Sequence, residues 1–235
     1  MAETHTDRSF EQELKSVHSL VCIMGEAVSA MLTRTLRALE TGDTVLAHQV
    51  ISADRDVNRM EVELDELCMK VIARRQPVAS DLRFLAMTLK LDTDLERMGD
   101  LCVDACERIL ELSMPVNPDA GALLQEMGAR VQDRVETALR AFLGADVTLA
   151  ERVIESDAAV NDGYHRLFGT LLAGMRAGAR PSPMSVRLLA IGRCFERIAD
   201  HAANIAEMAI FYAQGRDVRH PRSPVVLTTS TLVGP

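Results

Sequence analysis

The sequence predicts an all-α protein made of two tandem antiparallel three-helix bundles related by pseudo-twofold symmetry. Three observations support this fold class. Of the 235 residues, 48% are hydrophobic but only 3% are aromatic, and good helix formers such as Ala, Leu, Met, Arg and Glu dominate. Apolar residues recur at three- and four-residue steps, which is the period of an amphipathic helix. The second half of the chain also repeats the first, as a duplicated structural unit does.

The first half predicts three long helices joined by short connections, at about 7–40, 44–74 and 81–112. Gly42 is a plausible left-handed end for the first helix, and Asp43 is a plausible N-cap for the second. Pro77 ends the second helix because proline clashes with a continuing helical backbone. Ser80 and Asp81 are candidate caps for the third.

The second half predicts the same arrangement, with helices at about 119–143, 147–176 and 184–214. Residues 144–146 take the place of 41–43 in the turn between the first two helices. Short connections make sequential helices antiparallel. We therefore assign residues 7–113 to a first bundle, residues 119–214 to a second, and residues 215–235 to a loosely ordered tail.

The two halves align residue by residue. At an offset of 103 residues, Asp43 matches Asp146 and Asp54 matches Asp157. The offset falls to 100 by the third helix, where residues 96–100 match residues 196–200 in the sixth. The lost residues lie in a connection, where length changes are tolerated best.

Composition excludes several classes of function. A net charge of −8 argues against a primary nucleic-acid role, which needs a basic surface. The five cysteines form no Cys-x-x-Cys pair, and we interpret them as buried reduced thiols that suit a cytoplasmic protein. The polar N-terminus does not resemble a signal peptide, and no run reaches the roughly 18 apolar residues of a membrane span. Membrane contact is therefore expected only through a partner or a surface patch.

Acidic residues form a stripe on the third helix, on one face roughly 120° wide: Asp92, Glu96, Asp100, Asp104 and Glu107. A polar face is common on surface helices, but such faces usually mix charge signs, and this stripe includes no Lys or Arg. Helix six repeats it with Glu196, Asp200, Asn204 and Glu207. The second helix offers a matching set, Asp54, Asn58, Glu61 and Asp65, whose counterparts are Asp157, Asn161, Tyr164 and Phe168.

Clustered carboxylates predict a bound cation. Oxygen ligands favour hard ions such as Mg²⁺, Mn²⁺ or Ca²⁺, and iron also fits. His201 is a possible nitrogen ligand, although a lone histidine is more often structural. The Glu-x-x-His pairs of di-iron bundles are absent, and so are a phosphate-binding glycine-rich loop and a nucleophile elbow.

These residues also carry a family resemblance. Residues 73–85, 95–100 and 195–207 are similar, in order and spacing, to the connector and the two signature motifs of the PhoU family. The resemblance covers about residues 5–214. It implies two three-helix bundles that bind metal ions, in multinuclear clusters, through Glu/Asp-x-x-x-Asp motifs. The ion stays open among iron, Mn, Mg and Zn.

By position, the resemblance implies a first metal site at Asp54, Glu96 and Asp100, and a second at Asp157, Glu196 and Asp200. Asp104 stands where the family usually has Asn, and we expect it to add charge to the first site. The implied function is that of a cytoplasmic, non-enzymatic, often dimeric regulator. It would hold phosphate-starvation signalling off by coupling the ATPase subunit of a phosphate ABC transporter to a sensor histidine kinase.

Two alternatives stay open. In one, the acidic stripes are docking surfaces for basic patches on partners, and metal is not physiological. In the other, a bound metal activates water in a metal-dependent enzyme, such as a phosphohydrolase or a carboxylate-bridged oxidase. The sequence supplies no further acid or base constellation for such an enzyme.

Overall fold

The computed structural model describes residues 8–112, 116–156, 158–176 and 183–218. These residues contain helices and no strand, which confirms the all-α class. In chain order the helices are α1 (Arg8–Thr41), α2 (Thr44–Arg75), α3 (Ala79–Leu110), α4 (Pro118–Gly144), α5 (Val147–Glu155), α6 (Ala158–Arg176) and α7 (Pro183–Gln214).

The turns after α1 and α4 are built alike. Gly42 is left-handed, with φ +69°, and the side chain of Asp43 caps α2 by accepting hydrogen bonds from two first-turn N–H groups. In the second half Ala145 takes the left-handed position, with φ +49°, and Asp146 caps α5. The predicted turn between the first two helices of each repeat is therefore confirmed, although an alanine replaces the glycine at its strained position.

Helix α3 begins two residues earlier than predicted. Its N-cap is Val78, which makes no side-chain capping bond, and its first residue is Ala79. Ser80 and Asp81 therefore lie within the first turn and do not cap the helix. An acid in the first turn still interacts favourably with the helix dipole.

The predicted fifth helix is divided in two, so four helices of the second half stand where three were predicted. Helix α5 ends at Glu155, and Ser156 forms a turn in which its hydroxyl donates to the carbonyl of Val153 at 2.8 Å. A serine hydroxyl that bonds back to the preceding turn competes with the helical ladder. Residue 157 lies outside the described residues, and α6 follows from Ala158.

A continuous apolar core runs through both repeats and includes Met24, Leu91, Phe142 and Phe195. Helices α1, α2 and α3 pack together, as do α4, α5, α6 and α7. The two groups meet where α3 packs against α7 and α1 against α4. This arrangement leaves one side of the α2–α3 pair free to carry the acidic stripe.

Helix α1 is the one helix in the described part of the chain with the length and apolar composition of a membrane span. Polar residues interrupt the apolar sequence of α1, so a search for one uninterrupted apolar run does not identify this helix. A core helix passes the same test, and Val17, Val21 and Met24 on α1 are fully buried in the bundle. The feature is weak evidence for a membrane role.

All five cysteines are free thiols, but only four of them are buried. Cys22 is half-buried on α1, so the prediction of burial is wrong for this residue. Its thiol lies 3.6 Å from a carboxylate oxygen of Glu26. Burial and that carboxylate together raise the pKa of the Cys22 thiol, which disfavours the reactive thiolate.

The first residues of the predicted tail pack on the helices. Gly215 ends α7 with φ +68°, and Arg216 forms an ion pair with Glu151 at 3.0 Å. Val218 packs against the core. Residues 219–235, which the sequence also assigns to the tail, lie outside the described residues.

A candidate metal site on the α2–α3 surface

The site begins at a close approach between α2 and α3. A Cβ atom placed on Gly99 would lie 3.3 Å from Asp54 Oδ1 and 3.5 Å from Val57 Cγ1. Because glycine has no side chain, the carboxylate of Asp54 can rest against the backbone of α3. Gly99 therefore sets where the carboxylate from α2 meets those from α3.

Two buried oxygens at this contact have no hydrogen-bond partner among the described residues. Asp54 Oδ2 accepts a hydrogen bond of 3.0 Å from the amide of Asn58, but Asp54 Oδ1 and Asn58 Oδ1 are shielded from solvent and receive no donor from the described residues. Buried acceptors are almost always satisfied, and an unsatisfied pair calls for an explanation such as an ion. Burial, followed by the charge of Asp100, raises the pKa of Asp54.

Glu96 and Asp100 lie beside Asp54 as predicted. The Glu96 side chain is 17% exposed and that of Asp100 is 41% exposed. Burial raises the pKa of Glu96, and the charges of Asp100, Glu61 and Asp54 raise it further. The pKa of Glu61 is raised by burial and by Asp65 and Asp100. The structure thus brings acids from both helices into one mutually repelling cluster.

Asp92 is the most deeply buried acid of the stripe. The residue is fully buried; Oδ1 accepts from the Thr93 backbone N–H at 2.7 Å, while Oδ2 receives no donor from the described part of the chain. Burial raises the pKa of Asp92 to about 7, and the nearby carboxylates of Asp65 and Glu61 contribute. We define the first acidic cluster as Asp54, Glu61, Asp65, Asp92, Glu96 and Asp100 together with the amide of Asn58.

The basic residue Arg97 reaches this cluster. Arg97 Nη1 lies 3.1 Å from Asp100 Oδ2, and Arg97 Nε lies 3.4 Å from Glu96 Oε2. The stripe positions themselves carry no Lys or Arg, as the sequence showed, but the long Arg97 side chain beside them bends back over the stripe. The Arg97 side chain is 56% exposed, so these ion pairs are weak.

Asp104 lies close enough to Cys194 of α7 for its charge to act on that thiol. It is exposed, and its charge acts on Cys194 of α7, whose pKa is raised to about 11 by burial and then by Asp104. Asp104 therefore lies near α7, and its contribution of charge to the first site stays a prediction.

His201 has a structural partner. Its Nδ1 lies 2.6 Å from Asp94 Oδ1, which also accepts from the amide of Asn204 at 3.3 Å. These contacts join α3 to α7, so His201 links the two repeats and points to Asp94 instead of the first acidic cluster. Sequence reasoning missed Asp94, because its role depends on how the repeats pack.

The second repeat differs from the first. Glu196 is 16% exposed and pairs with Arg193, and Asp200 is exposed on α7. Asp157 lies outside the described residues. Tyr164 packs over Gly192, where a Cβ atom would lie 3.3 Å from its ring.

The chemistry of the first acidic cluster fits a hard cation. It offers several carboxylates and an amide oxygen, and three of these oxygens are buried without a donor from the described residues. The residues that define the cluster include no thiol or imidazole. In the present side-chain positions, no three acidic, histidine or cysteine side chains among residues 8–112, 116–156, 158–176 and 183–218 converge tightly enough to ligate one ion. Binding would require Glu96 and Asp100 to rotate away from Arg97.

The sequence profile of the PhoU domain matches this chain twice, at residues 21–109 and 124–209. The chain belongs to the PhoU family. The two matches coincide with the two structural repeats, so the family resemblance noted in the sequence is confirmed.

Individual PhoU relatives also match this chain over most of its length. The phosphate-specific transport system accessory protein PhoU of Escherichia coli is 34% identical over 216 residues, which span 92% of this chain and 90% of the relative. The PhoU homologue of Pseudomonas aeruginosa is 36% identical over 217 residues, with 92% and 90% covered.

Solved PhoU structures share the fold. The crystal structure of PhoU from Pseudomonas aeruginosa superposes with a TM-score of 0.84 at 35% identity, covering 88% of this chain and all of that one. The phosphate transport system regulatory protein PhoU from Streptococcus pneumoniae gives a TM-score of 0.82 at 26% identity, covering 90% of this chain and 100% of the other. The two-repeat helical architecture is therefore the PhoU fold.

Proposed function

We propose that this member of the PhoU family is a non-enzymatic accessory protein of a phosphate-specific transport system, and that it lowers phosphate uptake and phosphate-starvation signalling when phosphate is plentiful. The regulatory part is supported by family membership across most of the chain and by the names of relatives that are about as long as this protein. We place its action in the cytoplasm, on the inner side of the transporter.

The proposal also assigns a metal ion to the first acidic cluster. The observation that carries this part is that Asp54 Oδ1 lies against Gly99, shielded from solvent, and receives no donor from the described residues. Asp54, Glu96 and Asp100 would hold the ion, with Asn58 Oδ1 as a further oxygen. A bound cation supplies positive charge that offsets carboxylate repulsion and ties α2 to α3. The ion is one of iron, Mn, Mg or Zn, and the number of ions is open.

The partners in this proposal are the ATPase subunit of a phosphate ABC transporter and a sensor histidine kinase, with the regulator acting as a homodimer. Metal occupancy would change the charge that the α2–α3 surface presents to them. Electrostatic complementarity mainly sets partner choice and association rate, so a switch in surface charge suits a regulator that engages and releases its partners.

A complementation experiment tests the regulatory part. A strain that lacks the gene receives either the wild type or Glu96→Gln/Asp100→Asn, and a phosphate-starvation reporter is measured in high phosphate. We expect the wild type to silence the reporter and the variant to leave it active. Glu63→Gln, an exposed acid on α2 outside the cluster, is the matched control and should silence it. A variant that silences the reporter fully would contradict the role of the cluster.

Co-purification from cells grown in high phosphate tests the partners. Recovery of the transporter ATPase subunit and the kinase with the wild type, and their loss with the cluster variant, is expected. If chelation of metal leaves the partners bound while reversal of the cluster charges releases them, the stripe is a docking surface and the metal part of the proposal is wrong.

A further inference from the structure

We propose that the second repeat of this protein does not bind metal through its Glu-x-x-x-Asp motif, because the buried guanidinium of Arg134 acts as its resident cation. The inference rests on the proposed metal role of the first acidic cluster and separates the two repeats. It departs from the expectation of two equivalent sites at residues 96–100 and 196–200.

The second repeat lacks counterparts of three of the six acids in the first acidic cluster. Repeat alignment places Tyr164 at the position of Glu61, Phe168 at that of Asp65 and Gly192 at that of Asp92. The acids that remain are Asp157, Glu196 and Asp200. Three carboxylates replaced by groups without a charged oxygen leave a weaker ligand set for a hard cation.

Side-chain packing around Gly192 occupies the space that the acid Asp92 takes in the first repeat. Gly192 leaves a space that the side chains of Tyr164 and Leu167 fill: a Cβ atom on Gly192 would lie 3.3 Å from the Tyr164 ring and 2.7 Å from Leu167 Cδ2. In the first repeat the equivalent position is Asp92, a fully buried acid. The two replacements fit together, since the smaller residue on α7 accommodates the ring from α6.

A buried positive charge has been gained in the same region. Arg134 is 4% exposed, and it donates to Ser156 Oγ at 3.3 Å and to the carbonyl of Ala199 at 3.4 Å. Its counterpart in the first repeat is Met31, whose methyl group lies 3.8 Å from a Cβ placed on Gly99.

Because Arg134 is equivalent to Met31, it lies against the backbone of the Glu-x-x-x-Asp motif at residues 196–200, which we call the second motif. Ala199 matches Gly99, the residue on which the Asp54 carboxylate rests, and Ser156 immediately precedes Asp157 in the chain. A charge that never deprotonates therefore reaches the backbone between Glu196 and Asp200. Arg193 adds a second cation by pairing with Glu196 on the outer side. A metal ion that approached the second motif would be repelled by the positive charges of both Arg134 and Arg193.

Terbium luminescence can distinguish the repeats, because Tb³⁺ binds oxygen ligands as Ca²⁺ does and its emission is excited by a nearby tyrosine. The chain has no Trp and two Tyr. Tyr164 borders the second motif, whereas Tyr212 packs between Phe84 and Phe142. Phe84 is twelve residues from Glu96 on α3, or about 18 Å along the helix axis.

We expect wild-type protein to bind Tb³⁺ without tyrosine-excited emission, and Tyr164→Phe to behave identically. Arg97→Tyr puts a tyrosine at the edge of the first cluster, where Arg97 contacts Glu96 and Asp100 without being a proposed ligand, and should give strong emission. Wild-type emission that is lost in Tyr164→Phe or in Glu196→Gln/Asp200→Asn would overturn the inference. Absence of Tb³⁺ binding in every protein would contradict the proposed metal role of the first cluster, while agreeing with exclusion from the second.

Charge substitutions test Arg134 itself. Arg134→Gln keeps hydrogen-bonding capacity toward Ser156 and Ala199 but removes the charge, and it should increase Tyr164-excited Tb³⁺ emission at least severalfold. Arg134→Lys keeps the charge and should leave emission at the wild-type level. Circular dichroism checks folding. Unchanged emission in folded Arg134→Gln would show that the guanidinium is not what excludes the ion; if that variant does not fold, the Arg97→Tyr and Tyr164→Phe comparison decides.

Discussion

Asp54 and Gly99 meet across the α2–α3 interface so closely that a methyl group on Gly99 would lie 3.3 Å from the Asp54 carboxylate oxygen. That oxygen has no hydrogen-bond donor in the described part of the protein. The contact makes Gly99 a positioning residue for the proposed ion, because any side chain there would push the carboxylate away.

Gly99→Ala is expected to weaken metal binding while leaving the fold intact. The new methyl group would displace Asp54, and we expect affinity to fall about three- to tenfold, equivalent to about 1 kcal/mol. Alanine also favours the helix over glycine by about 1 kcal/mol, which offsets the crowding. Metal titration by calorimetry and urea denaturation measure the two effects separately.

The matched control is Ala199→Gly, the reverse exchange at the equivalent position of the second repeat. It should cost about 1 kcal/mol of stability and leave metal affinity unchanged. Equal metal affinity in Gly99→Ala and wild type would show that the Asp54–Gly99 contact is not part of the binding site.

The buried acid Asp92 predicts a dependence of stability on pH. Its folded-state pKa of about 7 lies above the ordinary 3.8, so the folded protein binds more protons than the unfolded chain between these values. Its stabilising contribution is therefore complete below pH 3.8 and is lost as pH rises toward 7. Asp92→Asn should remove this loss and stabilise metal-free protein at about pH 8 by roughly 1–3 kcal/mol.

Urea denaturation with a chelator present, at about pH 5 and about pH 8, measures this effect. Glu63→Gln, an exposed substitution on α2, should follow the wild type at both values. If Asp92→Asn loses as much stability as the wild type across this range, Asp92 is not the titrating group.

Arg97 is expected to compete with the bound ion. It pairs with both Glu96 and Asp100, and because it is 56% exposed each pair is worth at most about 1 kcal/mol. Arg97→Ala should therefore tighten metal binding about two- to fivefold. Arg59→Ala, which breaks an exposed pair with Asp56 on α2, is the control and should not change affinity. Weaker binding in Arg97→Ala would mean that Arg97 supports the site.

Asp94 is expected to hold the two repeats together. Removing its carboxylate leaves His201 and Asn204 without their shared acceptor, so Asp94→Ala should destabilise the protein by about 1–3 kcal/mol. Glu107→Ala, an exposed change on the same helix, should lie within about 0.5 kcal/mol of wild type. A double-mutant cycle with His201→Ala should show coupling, and strictly additive losses would contradict the link.

Local sequence signals predicted the fold well because they act within a few residues. The Asp43 cap and the left-handed Gly42 depend on their own turn, and repeat alignment transferred that turn to Asp146 and Ala145. The break at Ser156 was missed, because helical periodicity continues across it and the serine hydroxyl is also engaged by Arg134 from another helix.

The candidate site was predictable only in part. The helical period alone predicts which residues share one face of a helix. It therefore predicted the acidic faces of α2 and α3 that bring Asp54 close to Glu96 and Asp100. The reach of Arg97 depends on a side-chain rotamer, and the Asp94–His201 bond depends on the packing of α3 on α7. Arg134 carried a signal that alignment of the repeats could have found, since it stands opposite the apolar Met31.

Metal content per chain tests most directly whether the first acidic cluster holds the ion. It would be measured by elemental mass spectrometry on protein purified without chelator, for wild type, Asp54→Asn/Asp100→Asn and Glu196→Gln/Asp200→Asn. We predict loss of metal in the first variant and wild-type content in the second. Equal metal in all three proteins would contradict this prediction.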